Sequence, residues 1–315
     1  MRRHLKNPVI TRHDIKLKHP ALQDVSSVFN PGGVRHEGKF LLLLRVQNRA
    51  RETFFLPAIS LKGVEFEIYD EPTKIKHLER CPHKIYHIYD ARITADKAGF
   101  YHIFAAMDTD KGCFLGYFRS TNFVEMDFIG LASKPDVRNG VLLPGCNLRF
   151  ERPNEERVSG GVKSGVRIIC SKSDNMVDWE EIGEVFAGRP HYWDELIGSG
   201  PPPILTEEGW LHIYHGVATH FGSSNIYQAG VSLHETERPW ITIARGRYNI
   251  LEPREDYELL GQVPNVVFPS AAIPHTDDEV LNINSIINIY YGAADTCVGL
   301  AMATVGELIA HAKAQ

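Results

Sequence analysis

Helical stripes are scarce along this chain; short apolar runs opened by a glycine or a turn recur instead. Gly38-Lys39-Phe40-Leu41-Leu42-Leu43-Leu44 is the first such run and Gly99-Phe100-Tyr101-His102-Ile103-Phe104 the second. The pattern returns at Gly165-Val166-Arg167-Ile168-Ile169-Cys170, Gly209-Trp210-Leu211-His212-Ile213-Tyr214 and Asn288-Ile289-Tyr290-Tyr291-Gly292. Runs rich in β-branched and aromatic residues and bounded by turns read as strands. Five similar strands, roughly 45 to 80 residues apart, predict a repeated sheet unit of the kind that builds a β-propeller. A pair of sheets packed as a sandwich is the rival reading of the same pattern. Gly200-Pro201-Pro202-Pro203 is too short and too closely flanked by strands to be a linker. Residues 1–315 therefore read as a single all-β domain, with one short helix opening at Val305-Gly306-Glu307-Leu308-Ile309-Ala310.

Turn-rich segments ahead of these strands carry unusual polar groups. In Tyr89-Asp90-Ala91-Arg92 a carboxylate stands two residues before an arginine in a strand-like run, which predicts both side chains on one face. A structural ion pair is the plain reading of that motif, and a tuned acid at a cleft the functional one. In a propeller the innermost strands line a channel, so polar residues at their equivalent ends converge on one mouth.

Composition narrows the partners. A formal net charge of -5 argues against nucleic acid as the main partner, because a phosphate backbone calls for a basic footprint. No apolar run approaches the ~20 residues of a membrane span, and no apolar stretch of a signal peptide follows the basic start. Cys81, Cys113, Cys146, Cys170 and Cys297 are scattered, with no CxxC spacing. That suits free thiols in a reducing compartment, and the cytoplasm is the expected location. His83, His87 and His102 lack a metal-like grouping, and no Gly-rich nucleotide loop is present, so neither a metal nor a redox cofactor is expected.

The order of several segments is similar to one known family. Asn7-Pro8-Val9-Ile10, Phe29-Asn30, Tyr89-Asp90-Ala91-Arg92, Asn139-Gly140-Val141-Leu142 and Gly198-Ser199-Gly200-Pro201-Pro202-Pro203-Ile204 come first. Gly209-Trp210 through His215-Gly216-Val217, Val263-Pro264-Asn265-Val266-Val267-Phe268-Pro269 and Tyr291-Gly292-Ala293-Ala294-Asp295-Thr296 follow. Together they resemble the β-mannoside phosphorylases and mannosidases of glycoside hydrolase family 130 over nearly the whole chain. The resemblance implies a five-bladed β-propeller acting on manno-oligosaccharides with inversion. It implies that Asp90 is the proton donor, acting through a sugar hydroxyl, with Asn30, Arg45, Arg92 and Asp295 as substrate contacts. Arg152 and His215 match groups that hold inorganic phosphate, the co-substrate of a phosphorylase.

Two departures from the family pattern bear on the nucleophile. Leu143-Pro144-Gly145-Cys146 stands where Phe-Pro-x-Lys is common, and Leu196 stands where a lysine often precedes Ile-Gly. Phosphorolysis remains the first reading, with Arg138 a candidate to replace the lost charge. Hydrolysis by the same site is the second, with Glu195 or Glu258 as the base that activates water. A non-catalytic carbohydrate-binding propeller is the third. Linkage and leaving group rest with loops such as Gln47 to Phe55 and Ala218 to Tyr227, and self-association into a homo-oligomer is left open.

Overall fold

The computed structural model describes residues 1–16, 18–154, 165–219 and 224–314. Five antiparallel sheets follow one another along the chain and form the blades of a five-bladed β-propeller. Blade 1 runs Val25–His36, Lys39–Asn48, Thr53–Ser60 and Glu67–Ile68. Blade 2 runs Ile85–Ala95, Tyr101–Thr109, Gly112–Ser120 and Glu125–Leu131, with Lys74–Lys76 added in parallel at its outer edge. Blade 3 comprises Val137–Leu142, Leu148–Pro153, Arg167–Lys172 and Glu180–Ala187. Blade 4 starts at Leu196–Ser199 and continues through Gly209–Ala218, Ile226–His234 and Thr242–Arg245. Blade 5 comprises Val267–Pro274, Ile286–Ala293 and Cys297–Thr304, and the N-terminal strand Arg2–Arg3 completes it by pairing with Met302 and Ala301. The first strands of blades 5, 1, 2, 3 and 4 pack in that order around the axis. The ring closes where the first strand of blade 5 meets the second and third strands of blade 4.

The repeated apolar runs are continuous because both faces of each blade are covered. Leu42 and Leu44 join a core with Ala271, Ile273 and Leu300 of blade 5. Leu41 and Leu43, on the opposite face, join a core with Ile93, Ile103 and Phe118 of blade 2. A strand buried on both sides loses the apolar–polar alternation of a one-sided sheet. Four of the five runs are second strands of their blades. The run from Gly165 is the exception: it supplies the third strand of blade 3, and Leu148–Pro153 is the second.

The C-terminal helix Val305–Lys313 extends beyond the expected opening. Thr304 accepts from the Glu307 backbone amide and Glu307 from that of Thr304, a reciprocal cap that fixes its start. Val305, Leu308, Ile309 and Ala312 form its buried stripe, set against Leu211, Val231 and Ile287.

The segments read as turns ahead of the repeated strands are the innermost strands themselves, and those of blades 1, 2, 3 and 5 are each interrupted by a bulge. The register shifts between Phe29 and Gly32, between Tyr89 and Arg92, between Arg138 and Val141, and between Pro269 and Ala271. Bulges of this kind re-aim a side chain out of the regular pleat. They set up the site.

Candidate active site

Asn30, Asp90 and Asn139 occupy the bulges of the first three blades with φ of 44°, 55° and 54°. That left-handed region is unfavourable for residues with a Cβ, and Asn and Asp tolerate it best. Strain of this kind collects where a site needs a particular side-chain direction. All three line one cavity of about 370 Å3, together with Arg45, Asp108, Arg138, Arg152, His215 and Asp295.

The cavity has two poles. At the first, Oδ1 of Asp90 accepts from Nη1 of Arg45 at 2.9 Å and from Nδ2 of Asn30 at 3.1 Å. The Arg45 guanidinium lies between the rings of Phe29 and Tyr89, 4.4 Å from each centroid, so stacking holds it in place. Asp295, also left-handed at φ 49°, stands on the same wall. Burial, aided by the charge of Asp90 and opposed by Arg45, pushes its carboxyl up to about 6. Gly292 has to be glycine, since a Cβ there would sit 1.8 Å from Oδ1 of Asn30.

At the second pole, donors and acceptors converge without partners. Nε of Arg138, Nε of Arg152, Oδ1 of Asn139 and both ring nitrogens of His215 are buried and make no hydrogen bond among the described residues. Burial and the nearby Arg138 lower the Arg152 guanidinium to about 10. Burial, then Arg152 and Arg92, hold His215 well below 6.5, so its imidazole is neutral near pH 7, with one N–H to donate. A Cβ at Gly198 would meet Cε1 of His215 at 2.5 Å and Oδ1 of Asn139 at 2.7 Å, so this glycine lets the two approach. Arg138 is 3.6 Å from Oδ1 of Asp108, which also accepts from the Tyr89 hydroxyl at 2.9 Å. Buried cationic and polar groups left this way carry a desolvation cost that an anion would relieve.

Of the residues expected from the sequence, Asn30, Arg45, Asp90, Arg152, His215 and Asp295 share the cavity wall. Three others do not. Arg92 was expected on the same face as Asp90 and among the substrate contacts, but the bulge breaks the alternation. Its guanidinium is buried behind the cavity, donating from Nε to the Gly200 carbonyl at 2.6 Å and from Nη1 to those of Asp90 at 3.1 Å and Ala91 at 3.3 Å. Glu258 is unsuited to activate water. It is fully buried, accepting from Nε and Nη2 of Arg3, each at 2.8 Å, from the Tyr291 hydroxyl at 2.8 Å and from the Arg254 amide at 2.8 Å. Glu195 accepts from the Thr219 hydroxyl and lies off the cavity wall. Asn139, Asp108 and Tyr89 were not singled out for roles; Asn139-Gly140 inside a strand pattern was the available signal for a bulge. Part of the loop from Ala218 to Tyr227 lies outside the described residues. Among those residues, no group of three or more His, Cys, Asp or Glu is placed to share a metal ion.

The blades and the polar cavity at their inner strands define a five-bladed propeller of the kind that works on glycosidic bonds. The chain belongs to glycoside hydrolase family 130, whose family model, described as beta-1,4-mannooligosaccharide phosphorylase, matches residues 2–314. It is 29% identical over 321 residues to the beta-1,4-mannooligosaccharide phosphorylase of Ruminococcus albus, covering 98% of this chain and 89% of that protein. It is also 29% identical over 300 residues to a beta-1,2-mannobiose phosphorylase of Thermoanaerobacter sp., covering 88% of this chain and 89% of that protein. In structure it resembles the beta-1,2-mannobiose phosphorylase of Listeria innocua in its complex with beta-1,2-mannobiose. The TM-score is 0.83 at 24% identity, over 99% of this chain and 98% of that one.

Proposed function

We propose that this enzyme cleaves β-mannosidic bonds of short manno-oligosaccharides by phosphorolysis, releasing mannose 1-phosphate with inversion. The observation that carries the reading is the second pole: the Nε of Arg152 is buried, with no carboxylate partner among the described residues, beside Arg138, Asn139 and neutral His215. A cavity built this way suits a tetrahedral oxyanion, and the family relationship supplies the sugar. The names of the relatives agree, each describing a phosphorylase of β-linked mannosides.

In this reading phosphate needs no general base, since it arrives as an anion. A phosphate oxygen attacks the anomeric carbon as the glycosidic C–O bond breaks on the opposite face. The departing oxygen takes its proton from Asp90, relayed through a hydroxyl of the mannosyl unit. Asn30 and Arg45 fix the donor carboxyl, and Asp295 accepts from or donates to sugar hydroxyls according to its protonation. Hydrolysis is less well supported, because neither Glu195 nor Glu258 stands on the cavity wall.

Residues 1–315 act as one catalytic unit in this reading, since Arg2–Arg3 completes the sheet formed by the C-terminal strands. The five cysteines are all unpaired, which supports a cytoplasmic reaction on imported oligosaccharides; recovery from a periplasmic fraction would overturn that location. No helix among the described residues is long and apolar enough to cross a membrane.

The test runs the reaction in reverse. Mannose 1-phosphate offered with mannose, glucose or mannobiose as acceptor should release inorganic phosphate, and the linkage formed identifies the natural substrate. Absence of acceptor-dependent phosphate release across these sugars would count against phosphorolysis.

A further inference from the structure

Among the described residues three carboxylates line the cavity, and Asp108 stands apart from the other two. Asp90 and Asp295 belong to the pole around Arg45, whereas Asp108 lies 3.6 Å from Arg138 at the anion pole. It sits near the end of the strand Tyr101–Thr109, paired across the sheet with His87. The Tyr89 hydroxyl, donating to Oδ1 at 2.9 Å, orients it, and the side chain stays 35% exposed. A fixed carboxylate beside an anion site is a liability for most anions, because like charges repel. It becomes an asset for an anion that carries a proton, since a carboxylate can only accept.

Phosphate near neutral pH always retains at least one P–OH; sulfate retains none. We propose that Asp108 makes the site selective for protonated oxyanions, accepting the P–OH hydrogen while Arg138 and Arg152 hold the charged oxygens. The identity of the occupant rests on the phosphorolysis reading; the selectivity rests on where Asp108 stands. At about pH 8.5, where phosphate, arsenate and sulfate are all dianions, a residue that served only as counterion to Arg138 would weaken or strengthen all three alike. A selecting residue changes their ratio.

Calorimetric titration of the full chain with phosphate, arsenate and sulfate separates these cases without requiring turnover. At about pH 8.5 the wild type should bind phosphate and arsenate, both still protonated dianions, at least about tenfold more tightly than sulfate, the order expected for one charge-assisted hydrogen bond. Asp108→Asn should bring the three anions within about threefold of one another, and Asp108→Glu should restore the preference. Equal binding of sulfate and arsenate by the wild type overturns the proposal without any variant, as does an unchanged ratio in Asp108→Asn. Release of free mannose that is independent of phosphate and lost in Asp108→Asn would make this residue a base for water and overturn it too. Binding of none of the three anions would instead remove the phosphorolysis reading itself.

Discussion

Arg45 of blade 1 holds Asp90 of blade 2: Nη1 is 2.9 Å from Oδ1, and the guanidinium is clamped between Phe29 and Tyr89. The proposed proton donor is thus fixed from a neighbouring blade, while its own left-handed backbone aims it inward. Asp90→Asn keeps the shape and removes the proton. Steady-state assays should show kcat reduced by about 10²–10⁴-fold, with mannobiose binding by calorimetry little changed. Retention of more than a tenth of wild-type kcat would exclude Asp90 as the acid.

Arg152 separates stability from function. Its guanidinium is half-buried with no carboxylate partner among the described residues. Replacing buried ion pairs with apolar chains of similar volume is often neutral or stabilising by about 1–4 kcal/mol, so an apolar chain here relieves a desolvation cost. Arg152→Met should therefore melt at or above the wild-type temperature, while the KM for phosphate rises by about 100-fold. A variant that melts lower and binds phosphate normally would mean that Arg152 is a structural group.

Gly198 is expected to be intolerant of even one methyl. Gly198→Ala places Cβ 2.5 Å from the His215 ring and 2.7 Å from Asn139, and the ring must shift to accept it. The expected outcome is a rise in phosphate KM of about tenfold with the sugar KM nearly unchanged, measured by initial rates at varied phosphate.

Glu258 and Arg3 should behave as a structural latch. Their bidentate pair ties the N-terminal strand to the segment that precedes blade 5, and Glu258 is fully buried. Arg3→Met leaves that carboxylate without its cation, which should cost about 3 kcal/mol in urea unfolding. At temperatures where the variant stays folded, phosphate KM should remain within twofold of wild type.

Asp295 predicts a pH dependence of stability. Burial, with the charge of Asp90, pushes its carboxyl up to about 6 against an ordinary 3.8, so the folded state holds the proton more tightly than the unfolded chain. Stability from this group is intact below about pH 4 and declines as pH rises through about 6. Asp295→Asn removes the decline: its urea midpoint should gain on the wild type between about pH 4 and 6 and level off above that. A difference that is flat across this window would show that Asp295 does not titrate there.

The apolar skeleton was legible because propeller strands are buried on both faces, which writes runs such as Phe40–Leu44 plainly into the chain. Asn30, Asp90 and Asp295 could be placed at one mouth because repeat position and family pattern agreed. The direction of Arg92 was not legible, since the same-face argument assumes a regular pleat and a bulge intervenes at Asp90. Nor could sequence show that Glu258 is neutralised by Arg3, a partner 255 residues away, or that Arg152 has no carboxylate partner among the described residues. Local pattern records burial well; it does not record which distant charge meets which.

Phosphorus NMR of the enzyme with β-1,4- or β-1,2-mannobiose and phosphate tests the central claim most directly. The account predicts a growing signal of α-mannose 1-phosphate that requires phosphate and disappears with Asp90→Asn. Free mannose released equally fast with and without phosphate, and no sugar phosphate signal, would contradict it.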